Sequence, residues 1–473
     1  MRIWAQWELR AAFARQMAEM YGREVPAYTT LVDVSAEVNA DAFARLGSHA
    51  ERLGSIERVT AERHGAIRVG TPGELRHVGV IFAALGMYPV GFYDLRDAAK
   101  SAVPVVSTAF RPVEAAELAR NPFRMFTSML VTDDRRFFSA ELQGRLDAFL
   151  ARRTLFPPEL LGLAHRATAG GGLVDDDALR FLSLATAAFE LSRKPVDRAW
   201  YAELEAVSAV AADIGGVATT HINHLTPRVL DIDDLYQRMS GRGIAMIDAI
   251  QGPPRWDGPD VLLRQTSFRA LAEQRQFRES DGTVSGGSLR VRFGEVEARG
   301  IALTASGRDR YDAMLAEVDR RMIGAPAVSR PEVAAEVWRQ NLPADEVGLL
   351  RYGLGFFTFD AGSVINIRPA GLARRAKRAG QVSNDKLADL VESGVLTATP
   401  IVYEDFLPRS AAGIFQSNLV AEGAKDEGRA GTIRDAGWLS DVIGRDVSDP
   451  ADLYTAQQRD SLDKAAAQLG VTL

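Results

Sequence analysis

Apolar residues along this chain change their spacing after about residue 60, and the change predicts where helices give way to strands. Over residues 4–21 and 40–53 the apolar positions recur every three to four residues, as on one face of a helix. Farther on, the apolar runs are short and rich in β-branched and aromatic residues, which is typical of strands. Four such runs are predicted strands: 64–70, 87–94, 102–110 and 123–131.

One helix is predicted inside this first group of strands. Thr71 is a suitable N-cap, Pro72 falls in the first turn, and Glu74 lies three positions after the cap. The helix runs to about Leu85, so the predicted order is strand, helix, strand, strand, strand.

The same order returns in the second half of the chain. His221 lies in a short strand-like run, and Asp231 begins a helix that reaches about Met239. The three strand-like runs that follow are 244–250, 261–268 and 288–297. No strong residue identity links the two halves, so the repeat is one of architecture.

The two predicted modules would each curl into a half-open sheet and pair to enclose a cavity. We therefore expect an α+β fold with paired βαβββ modules that form a half-open barrel, helical insertions and a C-terminal α/β extension. The expected segments are an N-terminal helical segment (1–55), the first module (56–135), a helical insertion (136–212), the second module (213–305) and an extension that closes the pocket (306–473).

Composition narrows the class of protein. Of the 473 residues 47% are hydrophobic and 25% charged, and the formal net charge is -6. An acidic chain without Lys/Arg runs is a poor candidate for binding nucleic acid or a membrane. The absence of cysteine excludes disulfides, Fe–S clusters and thiolate zinc sites. Charges interrupt the N-terminus at once, and the longest uncharged apolar stretch (78–93) is short for a membrane span, so we expect a cytoplasmic protein.

The candidate metal ligands fall at matched positions of the two modules. The chain has only six histidines, and His64 and His221 each lie on the first strand of a module. Glu295 lies on the last strand of the second module, whereas the equivalent strand of the first module, from Arg124 to Met129, offers no His or carboxylate. Two imidazoles and one carboxylate form a facial triad that binds non-haem Fe(II) and leaves its other side open.

Two of these choices have alternatives nearby. A single histidine beside a strand more often has a structural role, so only the joint pattern supports a metal site. In a regular strand His221 and Asn223 share one face and His224 takes the other, and a strand is favoured because Pro227 and the β-branched residues disfavour a helix. Glu295 and Glu297 share a face, so this alternation does not choose between them.

Arg68 is the candidate for binding substrate. It lies four strand positions after His64, on the same face and roughly 13 Å along the strand. Its guanidinium could hold an acid group a few bonds from the end that binds the metal. The alternative is a surface arginine in an ion pair.

Several long segments resemble the 2-oxoadipate dioxygenase/decarboxylase family, also called 2-hydroxyglutarate synthases, which has a vicinal-oxygen-chelate core. Segment Phe293-Gly-Glu295, with Arg299, also resembles the metal-carboxylate strand of 4-hydroxyphenylpyruvate dioxygenases. The segments that carry the family resemblance begin His64-Gly-Ala-Ile-Arg, Ile214-Gly-Gly-Val, Arg264-Gln-Thr-Ser-Phe, Phe293-Gly-Glu-Val-Glu and Tyr403-Glu-Asp-Phe-Leu.

The resemblance implies an Fe(II) enzyme that converts 2-oxoadipate and O2 to (R)-2-hydroxyglutarate and CO2 in lysine catabolism. It implies Fe(II) on His64, His221 and Glu295, with Glu297 behind the ligand, and Arg68 on the distal carboxylate. Further substrate contacts are expected from the metal ligands, Gln265, Arg409 and Ser410, although the family has a small apolar residue in place of Arg409. The sequence leaves the oligomeric state open.

Two other classes of function compete with this one. An O2-independent vicinal-oxygen-chelate isomerase or lyase acting on a 2-oxo acid usually has another ligand on the last strand of the first module. A non-catalytic metal-binding protein would have no use for Arg68 and a cavity. No Walker loop, dinucleotide-binding Gly-x-Gly-x-x-Gly after a strand or Gly-x-Ser-x-Gly is present, so nucleotide-dependent and serine-hydrolase activities have little support.

Overall fold

The structure, a computed structural model, describes residues 2–97, 103–290, 292–326, 329–362, 382–407, 425–426 and 428–471. Fourteen strands occur in these ranges. They are β1 (Ile3–Ala5), β2 (Arg63–Val69), β3 (Tyr88–Asp94), β4 (Val105–Arg111), β5 (Arg124–Leu130), β6 (Gly172–Val174), β7 (Val196–Asp197), β8 (Ile222–Pro227), β9 (Leu263–Phe268), β10 (Glu273–Arg278), β11 (Val284–Leu289), β12 (Gly294–Arg299), β13 (Phe357–Ala361) and β14 (Leu396–Pro400).

The described α-helices fall mainly before β2, between β5 and β8, and after β12. They are α1 (Gln6–Glu24), α2 (Pro26–Leu46), α3 (Ile56–Ala61), α4 (Pro72–Ala84), α5 (Ala115–Arg120), α6 (Ala140–Leu150), α7 (Pro158–Gly170), α8 (Asp175–Ala187), α9 (Arg198–Val207), α10 (Ala209–Gly215), α11 (Ile232–Gly241), α12 (Ala305–Arg321), α13 (Arg330–Asn341), α14 (Glu346–Arg351), α15 (Asn384–Glu392), α16 (Ala436–Ile443) and α17 (Pro450–Leu469). No described helix is both long and apolar enough to cross a bilayer.

The largest described sheet has the strand order β3-β4-β5-β2-β8. Its first four strands, with α4 between β2 and β3, have the predicted order strand, helix, strand, strand, strand. β2 pairs in parallel with β5 and antiparallel with β8, so it lies between the two halves of the chain. The fold is therefore mixed α+β with open sheets, as the pattern of the sequence predicts.

The start of α4 confirms the predicted capping pattern. Thr71 Oγ1 accepts a hydrogen bond from the Glu74 N–H at 3.1 Å, and Glu74 Oε2 accepts one from the Thr71 N–H at 3.2 Å. The same carboxylate accepts from the Gly70 N–H at 2.7 Å. These reciprocal bonds satisfy backbone donors that the helix leaves free, and they hold the turn directly after β2.

The second half of the chain departs from the predicted strands in two places. Segment 244–250 forms no strand, and only two isolated bridges, from Met246 and Gln251, join this part of the chain to β9. The run 288–297 is not one strand, because β11 ends at Leu289 and β12 begins at Gly294. The hairpin β10–β11, which pairs with β7, accounts for the difference.

Apolar residues form one core cluster between the main sheet and the N-terminal helices. Phe13, Met17 and Leu31 from α1 and α2 are fully buried against it. A second cluster packs β13, β14 and the helices after β12 around Trp338. A third, around Phe126 and Phe406, lies beside the strands that carry the candidate site.

Candidate metal centre

His64, His224 and Glu295 come together in the buried interior. One ligand atom from each lies within 4.8 Å of the other two, and all three residues are buried. His64 Nε2 lies 3.5 Å from Glu295 Oε2, and His224 Nε2 lies 3.6 Å from Glu295 Oε1. Two imidazoles and one carboxylate are the donor set of a facial-triad iron site.

The second imidazole of this cluster is that of His224, and His221, the predicted metal ligand, is not part of it. His221 precedes β8, and its Nε2 lies 3.3 Å from Asp213 Oδ1. The reason is a bulge: His224 lies opposite Ala66, whereas Ile222 lies opposite Ile67, so two steps along β8 match one step along β2. Asn223 is the extra residue, and it breaks the regular alternation on which the sequence argument depended.

The bulge places His221 and His224 on the same side of the sheet. Because Ile222 faces the apolar core with Ile67, His221 and His224 lie on the side of His64 and Arg68. His224 is next to Glu295, and His221 is at the Arg68 end of the same site.

Burial and neighbouring charges shift the pKa values of the two imidazoles in opposite directions. Burial lowers the pKa of His224 to about 4, which keeps its ring neutral and able to bind a metal. Burial also disfavours the charged form of His64, but the carboxylates of Glu297 and Glu295 outweigh it and raise its pKa. His224 Nδ1 contacts the Thr226 hydroxyl at 3.0 Å, so Nε2 is the nitrogen that faces Glu295.

Glu297 contacts the far side of His64. Its Oε2 lies 2.9 Å from His64 Nδ1, which leaves His64 Nε2 directed toward Glu295. Arg299 donates two hydrogen bonds, of 2.7 and 3.0 Å, to the Glu297 carboxylate. Burial opposes ionisation of Glu297, but Arg299 and His64 lower its pKa to about 2. Glu295 therefore lies on the side of His64 that faces His224, and Glu297 lies on the opposite side.

A buried charge network continues away from Glu297. Glu62 accepts hydrogen bonds from Arg124 Nη1 at 2.7 Å and from Arg228 Nη1 at 2.9 Å, and it lies 3.4 Å from Arg299 Nε. Arg124 also pairs with Glu404. Each buried charge in this network is therefore met by an opposite one, which is the condition for keeping charges in an apolar interior.

Arg68 is buried, and it pairs with Asp213. Asp213 Oδ2 also accepts a hydrogen bond from Asn223 Nδ2 at 2.9 Å. The sequence offered an acid-binding arginine or one in an ion pair, and the structure places Arg68 in an ion pair inside the site. Asp213 and Asn223 carry no sequence signal for this role, because α10 and the bulge bring them to Arg68 only through the fold.

The remaining predicted contacts differ in position. Gln265 Nε2 lies 3.5 Å from Glu295 Oε2, so Gln265 adjoins the cluster. Arg409 and Ser410 lie outside the described residues. Two aromatic residues that no sequence pattern indicated also adjoin the cluster. The ring centroid of Phe406 is 5.0 Å from that of His64, and the ring of Phe293 stacks on His224 at 5.5 Å.

Glycine is required at the start of the metal-carboxylate strand. A Cβ built on Gly294 would lie 1.8 Å from the ring of Phe268 on the neighbouring strand β9. The close approach of β9 and β12 at this point sets the position of Glu295, which follows directly.

Comparisons with known proteins agree on one family. A family model described as "2-oxoadipate dioxygenase/decarboxylase" matches residues 13–418. A Mycobacterium tuberculosis protein of that name is 54% identical over 449 residues, covering 95% of this chain and 96% of the relative. A Pseudomonas putida protein of the same name is 38% identical over 470 residues, with 98% and 97% covered.

A solved structure matches over the whole length. The crystal structure of the hydroxyglutarate synthase from Pseudomonas putida in complex with 2-oxoadipate superposes with a TM-score of 0.81. The two chains are 34% identical in sequence, and 100% of each is covered.

Proposed function

The chain belongs to the 2-oxoadipate dioxygenase/decarboxylase family, and we propose that it converts 2-oxoadipate and O2 to (R)-2-hydroxyglutarate and CO2. The observation that carries this proposal is the buried cluster of two imidazoles and one carboxylate beside a buried arginine. The reaction balances without a separate reductant, since both atoms of O2 are accounted for in the two products.

His64, His224 and Glu295 would hold Fe(II). The donor set fits this ion, because His224 is neutral, His64 presents Nε2, and both face the same carboxylate. Bound there, Fe(II) would supply the redox chemistry toward O2 and a binding site for the 2-oxo acid end of the substrate.

Arg68 would orient the substrate by binding its distal carboxylate. The arginine shares β2 with His64, so one strand holds both ends of the substrate in register. Asp213 positions the Arg68 guanidinium, and His221 lies against the carboxylate of Asp213. Fixing one methylene in relation to the reacting end is a task of positioning, and a rigid strand suits it.

Other residues would complete the pocket. Gln265, next to Glu295, has an amide that could donate to the substrate. The rings of Phe406 and Phe293 cover the two imidazoles and would exclude water from them. Substrate contacts from Arg409 and Ser410 stay predictions of the sequence.

The finer architecture that we propose is a pair of vicinal-oxygen-chelate modules. In the first module the spatial order is β2, β5, β4, β3, which is first, fourth, third and second strand. In the second module, β8 approaches β12 through the Arg228–Glu297 bridge, β12 pairs with β9, and β9 meets the segment around Met246. The same spatial order in both halves supports a barrel of two such modules. The first module has all four strands, whereas in the second the segment around Met246 forms isolated bridges instead of a strand.

Oxygen uptake tests the proposed reaction. Iron-loaded protein given 2-oxoadipate should consume one O2 for each CO2 released, and chromatography should identify (R)-2-hydroxyglutarate. Turnover of the 2-oxo acid without oxygen uptake would favour an isomerase or lyase instead. Iron retention without any turnover would favour a non-catalytic metal-binding protein.

Arg68→Ala separates substrate binding from metal binding. Because Arg68 is not one of the three candidate ligands and pairs with Asp213, the variant should keep its iron while the KM for 2-oxoadipate rises by about 10-fold or more. Iron content and KM are measured on the same preparation. Equal loss of iron and substrate binding would contradict the role of Arg68.

The division into five segments, the cytoplasmic location and the place in lysine catabolism stay predictions of the sequence.

A further inference from the structure

A cavity of about 400 Å³ lies beside the metal centre but outside it. Its walls come from β3, the start of α12, residues 403–406 and the connection from α16 to α17. The residues that define its chemistry are Phe92, Tyr93, Arg308, Tyr403, Phe406 and Tyr454. Aromatic walls with few polar groups, at this volume, are typical of small-molecule sites.

Arg308 supplies the charge. Its Nη1 atom is buried and has no hydrogen-bond partner, and the guanidinium forms no ion pair with any described residue. The guanidinium carbon of Arg308 lies 5.4 Å from the centre of the Tyr311 ring. Other arginines in the interior, such as Arg111 with Asp405 and Arg299 with Glu297, pair with carboxylates. A guanidinium nitrogen that is buried without a partner is costly, and Arg308 lines the cavity, where a ligand could meet its charge.

A second donor faces the same space. The Tyr93 hydroxyl accepts a hydrogen bond from the Phe406 N–H at 3.4 Å, and it has no acceptor for its own proton among the described residues. Burial raises the pKa of Tyr93, so the hydroxyl stays protonated and can donate. Asp449 also borders the cavity, but it is exposed, caps α17 by accepting from the Ala451 N–H at 2.7 Å, and does not pair with Arg308.

The cavity is separated from the metal cluster by Phe406. One side of its ring contacts His64, at 5.0 Å between centroids, and the residue also lines the cavity. None of His64, His224, Glu295 and Arg68 is among the described lining residues. A molecule in the cavity would therefore rest against the residue that covers a metal ligand, without touching the metal.

We propose that this cavity is a second binding site, for a small organic monocarboxylate whose apolar body packs among the aromatic rings. Its carboxylate pairs with Arg308, since guanidinium and carboxylate match in shape and charge. The site is distinct from that for the 2-oxo acid and does not depend on the proposed reaction.

Calorimetric titration with phenylacetate tests the proposal on iron-loaded protein kept under nitrogen. We expect saturable binding, and binding at least about 10-fold weaker for 2-phenylacetamide, which has the same shape without the charge. Arg308→Gln should weaken phenylacetate binding by a similar factor. The matched control is Arg310→Gln, on the same helix but exposed and bonded to the Asn341 carbonyl, and it should leave binding unchanged.

Two further variants keep the test decisive if Arg308→Gln does not fold. Ala451→Phe, at an exposed position that lines the cavity, should fill the space and abolish binding with the guanidinium intact. Arg68→Ala should bind phenylacetate as the unchanged protein does. Loss of binding only in Arg68→Ala, displacement of phenylacetate by 2-oxoadipate, equal binding of acid and amide, or no saturable binding would each overturn the proposal.

Discussion

The imidazoles of His64 and His224, in the candidate metal centre, have different surroundings. Behind His64 lies the carboxylate of Glu297, which accepts two hydrogen bonds from Arg299, and behind that a network of ion pairs around Glu62. Behind His224 lie the hydroxyl of Thr226 and the aromatic ring of Phe293. One ligand is thus held by charge and the other by packing.

The difference extends to the substrate end of the site. On the His64 side Glu297, Glu62 and Glu404 each pair with an arginine, so substrate binding requires no rearrangement of charges there. On the other side, the ion pair of Arg68 and Asp213 would have to be shared with the substrate carboxylate. We infer that the His64 side is the rigid half of the site and the Arg68 side the adjustable half.

The largest effect should come from replacing each of the two candidate histidines, His221 and His224, by alanine. His224→Ala should lose bound iron and turnover. Because the metal lowers the activation barrier by several kcal/mol, the rate should fall on the order of 1000-fold or more. His221→Ala should keep its iron, since its ring meets Asp213 rather than Glu295. Iron content by mass spectrometry decides between them, and a variant His221→Ala without iron would restore the original prediction.

The rigid half can be weakened at Glu297. Glu297→Gln keeps an oxygen near His64 Nδ1 but removes the charge, so iron affinity should fall by about 10- to 100-fold. Iron competition with a chelator measures the change. Glu317→Gln, at a half-buried ion pair on α12, is the control and should bind iron normally. An unchanged affinity in Glu297→Gln would mean that packing alone holds His64.

The adjustable half can be tested at Asp213. Asp213→Asn leaves the Arg68 charge without its carboxylate, so the free energy of unfolding should fall by about 3 kcal/mol, and 2-oxoadipate should restore more stability than in the unchanged protein. Denaturant unfolding with and without substrate measures both. For Asp319→Asn, at an exposed pair with Arg330, we expect a change within about 0.5 kcal/mol. Equal stabilisation by substrate in both variants would refute the sharing of Arg68.

The smallest effect should come from the turn after β2. Thr71→Ala removes one half of the capping box and should cost about 1 kcal/mol of unfolding free energy. Iron binding and KM should stay unchanged, because the Arg68–Asp213 pair is not part of the cap. A rise in KM would show that the turn, and not Asp213, positions Arg68.

Local patterns accounted for much of the fold. The first module and the capped start of α4 follow from alternating apolar residues and from Thr71, Pro72 and Glu74, which act within a few residues of chain. The strand predicted over 244–250 is wrong, because two isolated bridges join that part of the chain to β9 in place of a regular ladder. The hairpin β10–β11 was not predicted, because its segment is polar and lacks the apolar pattern of a strand.

Part of the site could be named from the sequence alone. His64, Arg68 and Glu295 lie in regular strands, where spacing determines the face, and their segments are long enough to show the family. Alternation requires no knowledge of distant contacts, so these three residues could be predicted.

The second imidazole was decided by tertiary structure. His221 and His224 are three residues apart, and a bulge against β2 determines which of them meets Glu295. The pairing of Arg68 with Asp213, 145 residues away, likewise depends on how α10 packs. A bulge arises from the fit between two strands, so no property of either strand alone encodes it.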